Sequence, residues 1–149
     1  MTTPSQPQNK DVLFYVLATN DSASRDAFVA KLTNKIFQQQ RQCDIRFDNE
    51  QDCLRFDQVL WQFQPQAFIP HAIALDTRAP IQLWHQTISQ PCQDVLLNLH
   101  PQFCDDFDQY QRTIEVLDQS EALIEMGRQR WKQYKALGFD PVVHKISST

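Results

Sequence analysis

The sequence predicts one α/β domain built on a mainly parallel or mixed sheet flanked by helices, and three observations predict it. The opening half alternates apolar, strand-like runs with amphipathic stretches of helical length, the β-α-β-α order of a parallel sheet with crossover helices. The first of those runs, Asp11–Thr19, is continuously apolar, as expected of a strand covered on both faces. The chain has 149 residues, 42% of them hydrophobic and 21% charged, which fits a single globular domain.

Taken in order, Asp11–Thr19 ends at the turn-forming Asn20-Asp21-Ser22. Ser24–Gln40 then reads as a helix, with Phe28, Leu32 and Ile36 on one face and Ser24 as N-cap. Asp44–Phe47 reads as a short strand. Asn49–Phe63 reads as a second helix whose inner stripe is Cys53, Phe56, Leu60 and Phe63. Gln64–Pro80 carries Pro65, Pro70 and Pro80 and reads as a long ordered connection. Ile81–His85, Asp94–Leu99 and Arg112–Leu117 read as three further strands. The last helix, Asp118–Leu137, has Ser120 as a candidate N-cap, Gly138 just past its end and Asp140-Pro141 as its stop. The expected division is therefore a disordered N-terminal tail at 1–10, the domain at 11–140 and a C-terminal tail at 141–149.

Composition removes several function classes. The chain has two glycines, Gly127 and Gly138, and both lie far from the first strand-to-helix turn. A phosphate-cradling loop needs several residues without Cβ, so the topology is Rossmann-like with no nucleotide-binding glycine loop. Cys43, Cys53, Cys92 and Cys104 form no CxxC pair, so they read as buried small hydrophobes in a reducing compartment. The longest apolar stretch, Val12–Ala18, is too short to span a bilayer, and Met1–Lys10 has no apolar signal region. Together these imply a cytoplasmic protein without a membrane anchor. A formal net charge of −4 gives no global attraction for nucleic acid.

Four constellations remain. Asp105, Asp106 and Asp108 form a carboxylate cluster; a solvated loop explains it, and the alternative is a small metal-dependent hydrolase or nuclease. His71, His85, His100 and His144 accompany no nucleophile motif and read as structural or surface residues. In Trp61–Pro70, the apolar residues Trp61, Phe63, Phe68 and Ile69 either close the core under a loop or form an exposed patch for a protein partner. Trp61 follows Leu60 by one residue and so points about 100° away from the inner stripe. In the last helix, Arg128, Lys132 and Lys135 form one basic stripe with Trp131 beside it. That face is either a solvated basic surface with Trp131 in the core, or a recess for an anion beside an apolar anchor, such as an acidic peptide ending in an aromatic residue. A nucleic-acid phosphate is the rival ligand.

Two stretches resemble one known family, the chi subunit of bacterial DNA polymerase III. The first is Phe56–His71, with Leu60-Trp61 followed by Phe68-Ile69-Pro70-His71. The second is Arg128–Phe139, with Arg128, Arg130, Trp131, Lys132, Tyr134, Lys135, Gly138 and Phe139 at the family's spacing. With the intervening element order, the resemblance spans about residues 11–140. It implies a nucleotide-binding-like fold without nucleotide chemistry, no cofactor and no catalysis by the chain itself. It implies two partners: the psi subunit of the clamp loader and the acidic, phenylalanine-ending tail of single-stranded DNA-binding protein, with DNA contacted only indirectly. By that resemblance Trp61, Phe63, Phe68, Ile69 and Pro70 look like the psi-facing patch. Arg128, Trp131, Lys132, Lys135, Gly138 and Phe139 look like the tail site, with Leu117 and Ile124 as its apolar wall. The chain departs from the family at Ile124, where the basic stripe can begin with a lysine, and loss of that cation removes about 0.5–1 kcal/mol of screened attraction.

Overall fold

The computed structural model describes residues 10–63, 69–73 and 78–147. Among these, the chain forms seven strands and three α-helices: β1 Asp11–Leu17, α1 Ser22–Gln38, β2 Cys43–Arg46, α2 Glu50–Gln62, β3 His71–Ile73, β4 Ile81–Trp84, β5 Val95–Asn98, β6 Arg112–Leu117, α3 Glu121–Ala136 and β7 Val142–Ile146. One sheet holds all the strands in the order β3-β4-β2-β5-β6-β1-β7, and every neighbouring pair is parallel. The mixed alternative is thereby removed.

Side-chain alternation divides the core in two. Leu13, Ile45, Leu83, Val95, Leu97, Ile114 and Val116 pack with Val29, Leu32 and Ile36 of α1 and Cys53, Phe56 and Leu60 of α2. Val12, Phe14, Leu96 and Leu117 face the other way and pack with Tyr134 of α3 and with Phe107, Tyr110 and Phe139. β4 and β5 are buried along their whole length; the apolar run of Asp94–Leu99 fits that burial, whereas the alternation of Ile81–His85 does not reveal it, because the polar Gln82 is buried as well.

Three expectations about elements change. Asp21, not Ser24, caps α1: its Oδ2 accepts from the Ser24 amide at 2.8 Å, because the cap residue stands one position before the first helical turn and bonds the amide three residues on. A three-residue strand, β3, lies inside the stretch read as a connection; it is too short to show alternation, and it follows Pro70 at an edge of the sheet, where the missing proline amide costs nothing. The residues read as a C-terminal tail supply β7, which pairs with β1 from Leu13↔Val142 to Leu17↔Ile146. An edge strand is paired on one side only and largely exposed, so it lacks the apolar run that marks a central strand. Of the expected N-terminal tail, residues 1–9 lie outside the described residues, as do 148 and 149 of the C-terminal one.

Candidate functional site

The rotation of α3 is set by a buried polar cluster. Glu115 of β6 points toward the helix and is fully buried. Its Oε1 lies 2.6 Å from Arg130 Nη1, and its Oε2 accepts from Tyr134 Oη at 2.7 Å and from Asn98 Nδ2 at 3.2 Å. Arg130 Nη2 donates to the His100 carbonyl at 3.1 Å. Burial pushes the Glu115 carboxyl above the usual carboxylate range, against the pull of Arg130, Tyr134 and Asn98. Burial also pushes the Tyr134 hydroxyl up, reinforced by the Glu115 charge. Gly127, Arg130 and Tyr134 thus define the inner stripe of α3. At 3.6 residues per turn, Arg128 and Lys132 must then look outward, with Trp131 on the flank.

Beside that flank lies an open hollow of about 860 Å³. It sits at the C-terminal ends of β6, β1 and β7. The chain leaves β1 for β2 toward one edge of the sheet, and leaves β6 for β7 toward the other. Such a switch of direction opens a crevice outside the strand ends, the usual ligand position in sheets of this type. Phe14, Val16 and Leu117 line the hollow from the sheet, and Ile124 and Trp131 from α3. The Trp131 ring meets Phe14 edge-on, centroids 5.9 Å apart, and is partly buried rather than sealed. Arg128 and Lys132 of α3 and Val143 and Lys145 of β7 also line it, with Gln119, Gly127 and the acidic Asp118 and Glu125. Asp118 is engaged by Ser120, whose amide and hydroxyl donate to its Oδ1 at 2.9 and 2.6 Å. Arg128 lies 4.0 Å from Glu125 with both side chains mostly exposed, a pair too solvated to hold Arg128 firmly.

Of the residues singled out in the sequence, the fold brings Arg128, Trp131, Lys132, Leu117 and Ile124 together around this hollow. It does not bring Lys135, Gly138 or Phe139 to it. Lys135 turns to Asp140 at 3.2 Å. Gly138 follows the C-cap of α3 with a φ of 93°, a left-handed position suited to glycine. Phe139 is buried against Phe107, ring centroids 4.9 Å apart. Sequence reasoning missed Phe14, Val16, Val143 and Lys145. Recognising Val142–Ile146 as a strand is the one signal that could have found the last two, since alternate residues share a face.

The second expected surface is divided. Trp61 is 53% exposed on α2, and Leu54, seven residues earlier on the same stripe, is 46% exposed. The Trp61 ring lies 4.7 Å from that of His71. The His71 side chain is itself buried, with Nδ1 donating to the Ile69 carbonyl at 2.6 Å and Nε2 3.1 Å from Asp57 Oδ1. Phe63 is partly buried against the core, and Pro70 is half-buried. Ile69 is only 1% exposed and belongs to the core rather than to an open patch, because the chain turns it inward just before β3. Phe68 lies outside the described residues.

Other candidate groups are placed elsewhere. Asp105, Asp106 and Asp108 are exposed around a single 3-10 turn, Phe107–Gln109. Among the described residues, no group of three or more His, Cys, Asp or Glu could hold a metal ion. The buried Asp44 accepts from Trp84 Nε1, the Cys92 amide and Tyr110 Oη at 2.7–2.9 Å, which ties β2 to β4 and to the segments before β5 and β6. At the β1–α1 turn, the Asp21 carboxylate already occupies the helix amide that a phosphate would use. No described helix is long and apolar enough to cross a membrane.

A model of the family described as DNA polymerase III chi subunit, HolC, matches residues 10–142. The DNA polymerase III subunit chi of Escherichia coli is 25% identical over 139 residues, covering 88% of this chain and 95% of that protein. The protein of the same name from Haemophilus influenzae is 26% identical over 135 residues, covering 88% and 94%. That from Pseudomonas aeruginosa is 26% identical over 134 residues, covering 89% and 94%.

Proposed function

Because the chain belongs to the family of DNA polymerase III chi subunits, accessory proteins of DNA replication, we propose that it links the polymerase machinery to DNA-bound single-stranded DNA-binding protein. In this reading it acts in the cytoplasm without catalysis or cofactor, and holds two proteins on separate surfaces. The hollow beside α3 takes the acidic, aromatic-ending tail of single-stranded DNA-binding protein. The face of α2 around Trp61 takes the psi subunit of the clamp loader. DNA is reached only through the first of these partners.

The observation that carries the reading is the meeting of an apolar hollow and cations at one place. Trp131, Phe14, Val16 and Leu117 offer aromatic and aliphatic surface for a terminal ring, and Arg128, Lys132 and Lys145 line the same hollow. Arg128 is the guanidinium among them and can meet a terminal carboxylate with two parallel N–H bonds. Burial of a ring with screened charge attraction corresponds to micromolar binding, on the order of −7 to −8 kcal/mol. Two linked contacts of that strength raise avidity without any single tight interface.

Calorimetry of the full chain with an acidic peptide ending in phenylalanine, beside the same peptide lacking that residue, tests the reading. The complete peptide should bind in the micromolar range and weaken as salt rises, since the Debye length is about 8–10 Å at ordinary ionic strength. Arg128→Ala should weaken it by about tenfold or more, as loss of a charged hydrogen-bond partner does, while leaving stability nearly unchanged because the side chain is 70% exposed. Equal binding of the two peptides, or full affinity in Arg128→Ala, would reject the tail site.

A further inference from the structure

We propose that Lys145, on the sheet side of the hollow, is a specificity-determining residue that reads the acidic side chains preceding the aromatic end of a docked peptide. The inference rests on the reading of the hollow as a peptide-tail site and adds a residue from a different element, outside both stretches that carry the family resemblance.

Lys145 stands opposite Val16 in the parallel register of β1 and β7, and Val143 stands opposite Phe14. Alternate strand residues share a face, so Lys145 rises on the same side of the sheet as the floor residues Phe14 and Val16. Arg128 and Lys132 approach from α3, which forms the other wall. The hollow therefore has cations on both of its sides.

The state of those cations differs. Arg128 is near Glu125, and Lys135 is taken by Asp140. Among the described residues Lys132 and Lys145 have no ion pair or hydrogen bond from their side chains. Their charge is available to a ligand. The lining holds three cations, Arg128, Lys132 and Lys145, against two carboxylates, Asp118 and Glu125, so its charge balance favours anions.

Charge complementarity selects the occupant. A chain-terminal carboxylate needs one partner, which Arg128 supplies. Two more cations on opposite walls, Lys132 and Lys145, match further carboxylates just upstream on an extended peptide. A neutral peptide with the same aromatic end would use the apolar floor and Arg128 but gain nothing from Lys145. The lysine thus separates an acidic tail from any other chain ending in phenylalanine.

The test is calorimetry of the full chain with two peptides, an acidic one ending in phenylalanine and its copy with asparagine in place of each aspartate. Lys145→Ala should lower affinity for the acidic peptide about three- to fivefold and flatten its salt dependence. It should leave the asparagine peptide unaffected, and Lys145→Arg should retain both affinities. Equal loss with both peptides would assign Lys145 a structural role and overturn the proposal. So would unchanged acidic-peptide binding in Lys145→Ala while Arg128→Ala weakens both peptides; that result leaves the tail site standing. Wild-type chain that binds neither peptide overturns the tail site and this inference together. Loss of binding to a single-stranded oligonucleotide, with peptide binding intact, would assign the lysine to nucleic acid instead.

Discussion

Gly127 of α3 rests directly on Leu117 of β6: a Cβ built on the glycine would lie well inside van der Waals contact with Leu117 Cδ1. The missing side chain lets the helix approach the sheet closely at the point where Leu117 forms part of the hollow. Gly127→Ala gains about 1 kcal/mol of helix propensity and meets about 1–3 kcal/mol of overpacking. Leu117 can yield by rotating its outer methyl, so the net loss should be about 0–2 kcal/mol. The displaced methyl moves into the hollow, and affinity for the acidic peptide should fall more clearly than stability. Urea denaturation and peptide titration of the same variant would check this; unchanged affinity would mean that Leu117 yields in another direction.

The Glu115–Arg130 pair should be the most sensitive point of the domain. Arg130→Ala leaves a buried carboxylate without its cation, a change that costs about 3–5 kcal/mol. The cost should depend on pH. Burial holds the Glu115 carboxyl above its ordinary range, so the folded protein binds this proton more tightly than the unfolded chain does. Its contribution to stability is therefore present at low pH and lost as pH rises through the folded value. Without Arg130 the upward push is opposed only by the hydrogen bonds from Tyr134 and Asn98, and that loss deepens. Denaturation midpoints should show a larger deficit for Arg130→Ala at pH 7.5 than at pH 5, and an equal deficit at both would contradict the account.

Trp61→Ala should prevent capture of psi with little dependence on salt, because burial of aromatic area would drive that contact. The ring is half exposed, so the melting temperature should stay close to that of the wild type. Leu54→Ala, on the same exposed stripe, should weaken capture to a smaller degree. Normal co-purification of psi with Trp61→Ala would remove α2 from the interface.

All four thiols should be unreactive in the folded protein. Burial pushes Cys53 and Cys92 up to about 12, Cys43 well above its ordinary value and Cys104 upward. The thiolate is the reactive form, and at pH 8 little of it exists at these positions. A colorimetric thiol reagent should find almost none of the four cysteines in native protein and all four in guanidinium. Rapid reaction of one thiol under native conditions would show that its burial is transient.

Much of the fold was legible because its signals are local. β1 and β5 announce themselves as apolar runs, and α1 and α2 by spacings of three and four residues. β3 and β7 gave no such signal, being a three-residue segment and an exposed edge strand. The inward turn of Ile69 was equally hidden, since a residue in an irregular stretch has no period to assign its face.

By itself the sequence determined the α/β class with a mainly parallel or mixed sheet, the family resemblance, and the alignment of Arg128, Lys132 and Lys135 on one helical stripe. Positions along one helix are related by a fixed 100° rotation, so no other part of the chain is needed to place them relative to one another. Only the tertiary structure decided that Arg130 turns inward to Glu115 while Arg128 remains at the rim. It alone decided that Lys135 leaves for Asp140, and that Lys145 and Phe14, far apart in sequence, line the same hollow. Those outcomes depend on strand order and register, which pair β1 with β6 and β7 across more than a hundred residues, and no local period encodes such a pairing.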